Sequence, residues 1–231
     1  MFDIFFLYNK EKNAEKNFEI IKKFFDWVRV IENAKSIANA HIIAAKLSKT
    51  SWFYTIDADN IFLEEGKEII FRYDPYKRIK NINHFSVIVF NSCNFTNRCV
   101  YGWGAVKLWK KNHVIDFFPR KYIDFTTSFS MKKEDSVLSI HHYNFDPFNT
   151  WKSVFREYFK LKYSYEIKKT SVLEERIEMW KNCNEKFDYK KFYVDAIDFV
   201  DEIFSCKNYD QYKELLNNFE KLKEIFLSRT T

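Results

Sequence analysis

The chain opens on an unbroken apolar run. "DIFFLYN" at 3–9 has no polar residue from Ile4 to Leu7. A strand without alternation suits the centre of a parallel sheet, where both faces are covered. Residues 10–25 are rich in Lys and Glu, and Phe18, Ile21 and Phe25 recur at helical spacing, which predicts a helix. "WVRVIE" at 27–32 reads as a second strand. Ser36 is placed to cap another helix, whose residues Ala38, Ile42 and Ala45 share a face. "WFYTID" at 52–57 is a third strand. Strand–helix–strand–helix–strand predicts a parallel sheet with right-handed crossovers.

The middle is less regular. "HFSVIVFN" at 84–91 reads as a strand, "VYGWGAVKLWK" at 100–110 carries two glycines, and "HVIDFF" at 113–118 suggests a short strand. From Thr150 the period becomes helical. Trp151, Val154, Phe155, Tyr158 and Phe159 line one face. "SVLE" at 171–174 reads as a capping box opening a helix with Leu173, Ile177 and Trp180 inward. Two further helices are expected, one around Ala196, Val200 and Ile203, the other around Tyr212, Leu215, Phe219 and Phe226. The expected architecture is an α/β domain to about residue 160, followed by a helical tail or small helical subdomain.

Composition narrows the class. Aromatics reach 20% while Gly and Pro number three each, which excludes a disordered or low-complexity chain. No stretch approaches the roughly 18–20 uncharged apolar residues of a membrane span. The start, "MFDIFFLYNKEKN", has Asp3 where a signal peptide carries positive charge. Cys93, Cys99, Cys183 and Cys206 form no CxxC pair, which suits reduced thiols. A soluble protein of the cytoplasm without a membrane partner is expected. The net charge of +6 points toward a polyanionic partner.

Candidate chemistry begins where the third strand ends. In "WFYTIDADN" two carboxylates, Asp57 and Asp59, stand one residue apart. Ligands of α/β sheets sit beyond the carboxyl ends of the strands. There the pair can hold Mg²⁺ or Mn²⁺, which take oxygen ligands and substrate phosphates. Such a cation stabilises the charge that builds on a departing nucleotide diphosphate. A solvated turn is the other explanation. Tyr8 and Asn9, at the end of the first strand with Glu11 just beyond, are candidates for the nucleotide of a donor. Gly102 and Gly104 permit close backbone approach and Trp103 between them can stack on a sugar or base; a β-bulge explains the same glycines. Asp124 in "DFTTSFS" can serve as general base toward an acceptor hydroxyl, or as a turn aspartate. In "HHYNFDPFNTW" the His pair beside Asp146 invites a metal, while Asp146-Pro147 also suits a turn into a helix N-terminus.

The motifs in order, "AHIIAAKLSKTSWFYTIDADN", "VYGWGAVKLWK", "DFTTSFS" and "FDPFNTWKSVFREYFKL", resemble the TET/JBP-associated glycosyltransferases, a GT-A-type family found largely in bacteriophages. The resemblance spans residues 1–161, implies a Rossmann-type mixed sheet there and leaves 162–231 as a helical extension. It implies a GT-A-like fold, a nucleotide-sugar donor such as a UDP-sugar, a divalent metal on Asp57 and Asp59, and transfer to a hydroxymethylated base in DNA, in the host cytoplasm if the chain is phage-encoded. It places Asp124 at the catalytic base and Gly102, Trp103, Gly104, Asp146, Trp151 and Arg156 among the acceptor contacts. Ala105 stands where the family has a glycine, "KLWK" replaces a "KLFP"-like ending, and His141 and His142 have no counterpart in it. The alternatives are a surface polysaccharide or protein as acceptor, and a nucleic-acid-binding module without activity.

Overall fold

The computed structural model describes residues 1–9, 11–101, 106–117, 125–142, 146–183, 187–207 and 209–230. Gly102, Trp103, Gly104 and Asp124 lie outside them. The chain forms two compact units, residues 1–94 with 100–142, and residues 95–99 with 143–231.

The first unit is built on an eight-stranded mixed sheet. Strand β1 (Asp3–Tyr8) leads through α1 (Ala14–Phe24) to β2 (Arg29–Glu32), and through α2 (Ile37–Leu47) to β3 (Trp52–Asp57). β4 (Asn60–Phe62), α3 (Glu65–Arg72) and α4 (Pro75–Arg78) follow, then β5 (Val87–Asn94), β6 (Val100–Tyr101), β7 (Val106–Lys110), α5 (Lys111–Ile115) and β8 (Met131–His141). The strand order is β2-β1-β3-β7-β5-β8-β4, with β6 paired to β5. β1 runs parallel to β2 and β3, whereas β7 is antiparallel to β3 and β5.

The apolar run of β1 is explained by its position. Ile4 and Phe6 face a layer that includes Ile21 and Phe25, while Phe5 and Leu7 face Ala40, Ala44 and Ala45. Helices therefore cover both sides. The chain leaves β1 to one side for β2 and returns across it to β3. Right-handed crossovers in opposite directions put α1 and α2 on opposite faces. The reversal opens a crevice at the carboxyl end of β1.

Several elements depart from the sequence reading. α2 buries Ala40, His41, Ala44 and Ala45, with Ala38 and Ile42 at the margin. Small side chains let this helix lie close to the sheet. Residues 111–115 form the single-turn helix α5, not a strand, because Lys111 N–H is drawn to Ser51 C=O at 2.9 Å and only Val114 of this turn is buried. β8 was not foreseen: "MKKEDSVLSIH" carries four consecutive charged residues, since its first part is largely exposed. It joins β5 in parallel with two register irregularities, and β4 antiparallel.

The second unit is helical. α6 (Pro147–Lys168), α7 (Ser171–Lys181), α8 (Lys190–Ser205) and α9 (Phe219–Thr230) are joined by a 3-10 segment at Asp210–Asn217. Trp151, Phe155, Tyr158 and Phe159 of α6 pack with Val200, Ile203, Leu222 and Phe226. α6 runs unbroken through residue 161, where the sequence reading placed a boundary. The cap of α7 is Thr170, whose Oγ1 accepts from Leu173 N–H at 3.4 Å, one residue before the expected Ser171. The final expected helix is divided, a 3-10 segment with Tyr212 and Leu215 preceding α9. Among the described residues no helix is long and apolar enough to cross a membrane.

Candidate functional site

The carboxyl ends of β1 and β3 converge on a pocket of about 230 Å³. Tyr8, Asn9 and Glu11 come from the end of β1, Ser36, Ile37 and Ala40 from the start of α2, and Asp57 and Asp59 from the end of β3. The four donor and metal candidates read from the sequence thus line one space.

The tip that carries the two aspartates is fixed by its backbone. Ala58 N–H donates to Leu7 C=O at 3.0 Å, extending the β1–β3 pairing by one step. Ala58 C=O accepts from the buried Asn17 Nδ2 at 2.8 Å, which ties it to α1. Asp59 C=O accepts from His142 N–H at 2.9 Å, extending the β4–β8 pairing. The Asp59 side chain receives Asn60 Nδ2 on Oδ1 at 2.7 Å, and His141 Nδ1 stands 3.6 Å from its Oδ2. Asn60 is itself buried, its Oδ1 accepting from the Ser92 and Ser139 hydroxyls at 3.3 and 3.4 Å.

Asp57 is held from one side. Its Oδ2 accepts from Lys107 Nζ at 2.9 Å, and that lysine is almost fully buried in β7. Its Oδ1 is shielded from solvent and has no hydrogen-bond partner among the described residues. Burial pushes the Asp57 carboxyl above its ordinary value, the nearby Lys107 ammonium pulls it back in part, and the Asp59 charge adds to the rise. Glu11 is raised too, first by burial, with Asp59 and Asp57 adding; its Oε2 accepts from Asn9 N–H at 2.6 Å. The pocket therefore gathers negative charge that a cation would relieve.

Behind the pocket wall lies a buried polar chain. His41 is neutral, its pKa pushed down to about 3 by burial and then by the Lys107 charge. Its Nδ1–H donates to Ile37 C=O at 2.8 Å, so Nε2 is free to accept from the Thr55 hydroxyl at 3.4 Å. Thr55 Oγ1 in turn accepts from Trp109 Nε1–H at 2.8 Å. Every link is satisfied, which locks the first turn of α2 to the sheet.

The donor set suits a hard divalent ion. Two carboxylates, one with a buried oxygen unpartnered among the described residues, match the one or two protein carboxylates that Mg²⁺ and Mn²⁺ commonly take. Among the described residues no three His, Cys, Asp or Glu side chains converge to hold a metal alone. Ligands beyond the protein's own would come from phosphate oxygens or water.

The other candidates serve the helical unit. Asp146 caps α6, its Oδ1 accepting from Asn149 N–H at 2.8 Å, as the turn reading expected. Trp151 is wholly buried and its Nε1–H donates to Asp195 at 2.7 Å. Arg156 Nε donates to Leu216 C=O at 2.6 Å and its guanidinium lies 5.1 Å from the Phe219 ring centre. Lys107, Asn17 and Asn60 were not picked out in the sequence, and His141 was picked out only as half of a His pair beside Asp146. A lysine among the apolar residues of "AVKLWK", and an asparagine sharing a helix face with Ala14 and Ile21, are the signals that mark the first two.

No protein-family model and no curated protein matches the chain. Solved structures are similar only distantly. HddC from Yersinia pseudotuberculosis is 13% identical with a TM-score of 0.38, over 61% of this chain and 93% of that one. A glycosyltransferase involved in the glycosylation of the major capsid of PBCV-1 is 13% identical with a TM-score of 0.35, over 60% and 92%. S. aureus TarS 1-349 is 9% identical with a TM-score of 0.40, over 95% and 91%. Likenesses of this size carry no argument.

Proposed function

We propose that the chain is a divalent-metal-dependent glycosyltransferase that uses a nucleotide-sugar donor. The observation that carries this reading is the convergence of Asp57 and Asp59 with the end of β1 on one pocket, with Asp57 Oδ1 unpartnered among the described residues. Asp57 and Asp59 would hold Mn²⁺ or Mg²⁺. When bound, such an ion supplies Lewis-acid stabilisation of the charge on a leaving diphosphate. The pocket of about 230 Å³ is small against the roughly 300–1,000 Å³ of ligand pockets in general. Its described walls account for one compartment of a donor site. Tyr8 and Asn9 offer a ring face and polar groups to a base and ribose, and Ser36, Ile37 and Ala40 close the opposite wall. We keep Asp124 as the proposed base toward the acceptor hydroxyl and Gly102, Trp103 and Gly104 as proposed acceptor contacts.

The proposed acceptor is a hydroxymethylated base in DNA. The motif resemblance and the net charge of +6 support it. Phosphate contacts dominate DNA affinity and make it fall steeply with salt. The test is incubation with radiolabelled nucleotide sugars, MnCl₂ and hydroxymethylated DNA. Mn²⁺-dependent transfer to the DNA is the expected result. Transfer to a glycan or protein alone would remove the DNA part, and no donor turnover with any common nucleotide sugar would remove the enzymatic reading.

A further inference from the structure

Lys107 is the buried charge whose role the reaction outlined above leaves unassigned. It sits in β7 between β3 and β5, opposite Thr55 on one side and Val89 on the other, and is 3% exposed. A lysine in a sheet interior is costly unless its charge is paired. Its partner is Asp57 Oδ2 at 2.9 Å. The two oxygens of that carboxylate are thereby made unequal. One is bound from behind by a rigid strand, and the other, Oδ1, has no partner among the described residues. Asp57 itself lines the pocket.

We infer that Lys107 is a positioning residue for the metal–donor site: its ammonium anchors Asp57 through Oδ2 and so presents Oδ1 as the one ligand oxygen of that carboxylate. The inference rests on the reading of Asp57 and Asp59 as metal ligands. It adds a residue that touches neither metal nor donor and acts through Asp57. Groups that orient a metal-ligating carboxylate are worth about 10–100-fold in metal affinity. Two physical effects oppose each other here, and they differ in sign. Coulomb repulsion alone says that removing a positive charge beside a cation site tightens cation binding. Loss of the anchor frees the carboxylate to rotate and pair elsewhere, which weakens it.

The experiment is a MnCl₂ titration of the full chain, followed by the electron paramagnetic resonance signal of free Mn²⁺, with and without UDP. Wild type is compared with Lys107→Met and Lys107→Gln, each checked for folding by circular dichroism. Methionine fills the space without a donor, and glutamine keeps an N–H donor without the charge. Lys107→Met is expected to bind Mn²⁺ about 10-fold more weakly or worse, and Lys107→Gln within about 3-fold of wild type, since it keeps the anchoring bond. Unchanged or tighter binding by Lys107→Met overturns the inference, as does a loss in Lys107→Gln equal to that in Lys107→Met. If Lys107→Met does not fold, a 10-fold loss in folded Lys107→Gln overturns it alone. Wild type that binds no Mn²⁺ with or without UDP overturns the metal reading itself, a different result from any variant failure.

Discussion

At the residue scale the site is a contest between charge and burial. Asp57 and Asp59 are the residues on which the proposed chemistry turns. Asp57→Asn or Asp59→Asn is expected to lower Mn²⁺-dependent donor turnover by about 100-fold or more, the loss of several kcal/mol of transition-state stabilisation. Donor hydrolysis monitored by UDP release checks it, with wild-type thermal stability as the control. His41 gives a pH dependence with a definite sign. Its folded-state pKa of about 3 lies below its ordinary value, so the unfolded chain takes up a proton that the folded chain refuses. Stability therefore rises with pH between those values and is lost on acidification. Between pH 7 and 5 the loss is roughly 2 kcal/mol. His142, pushed down to about 4 chiefly by burial, acts in the same direction, its loss complete once the pH has fallen to about that value. Urea unfolding at pH 7 and 5 should show His41→Gln less sensitive to this interval than wild type by about that amount. The two aspartates were legible because carboxylates directly after an apolar strand are conspicuous. Lys107 and Asn17 were less so, because their meaning comes from partners 50 and 41 residues away.

At the element scale, periodicity was readable wherever one face is uniformly apolar. β1 and β3 emerge close to their sequence limits for that reason, and α1 lies within its expected segment. β8 did not, because a strand whose first half is solvated carries no alternation to read. Helix starts depend on a single hydrogen bond, which spacing alone misplaces by a residue. α7 makes this testable. Thr170→Ala is expected to cost about 1 kcal/mol, the usual value of an N-cap, while Ser171→Ala is nearly neutral. Denaturant midpoints of the two variants distinguish the cap from its neighbour.

At the scale of the whole molecule, the parallel pairing of β1, β2 and β3 was implicit in three apolar strands separated by two helices. The antiparallel insertion of β7 and the closing of the sheet through β8 and β4 were not, since pairings across 50 to 81 residues leave little mark on local pattern. The division after residue 142 was likewise hidden, because no Pro- or Ser-rich stretch announces it. One consequence follows from the way the Asp-x-Asp tip is stitched to strands on either flank. A tip bonded to Leu7, Asn17 and His142 before any ligand arrives works as a cast socket, not as a jaw that shuts. The amides of Ala58 and His142 should therefore exchange with deuterium slowly in the free protein, and adding Mn²⁺ and UDP should slow them little further. A large gain in protection at either amide would mean that the socket is shaped by its guest.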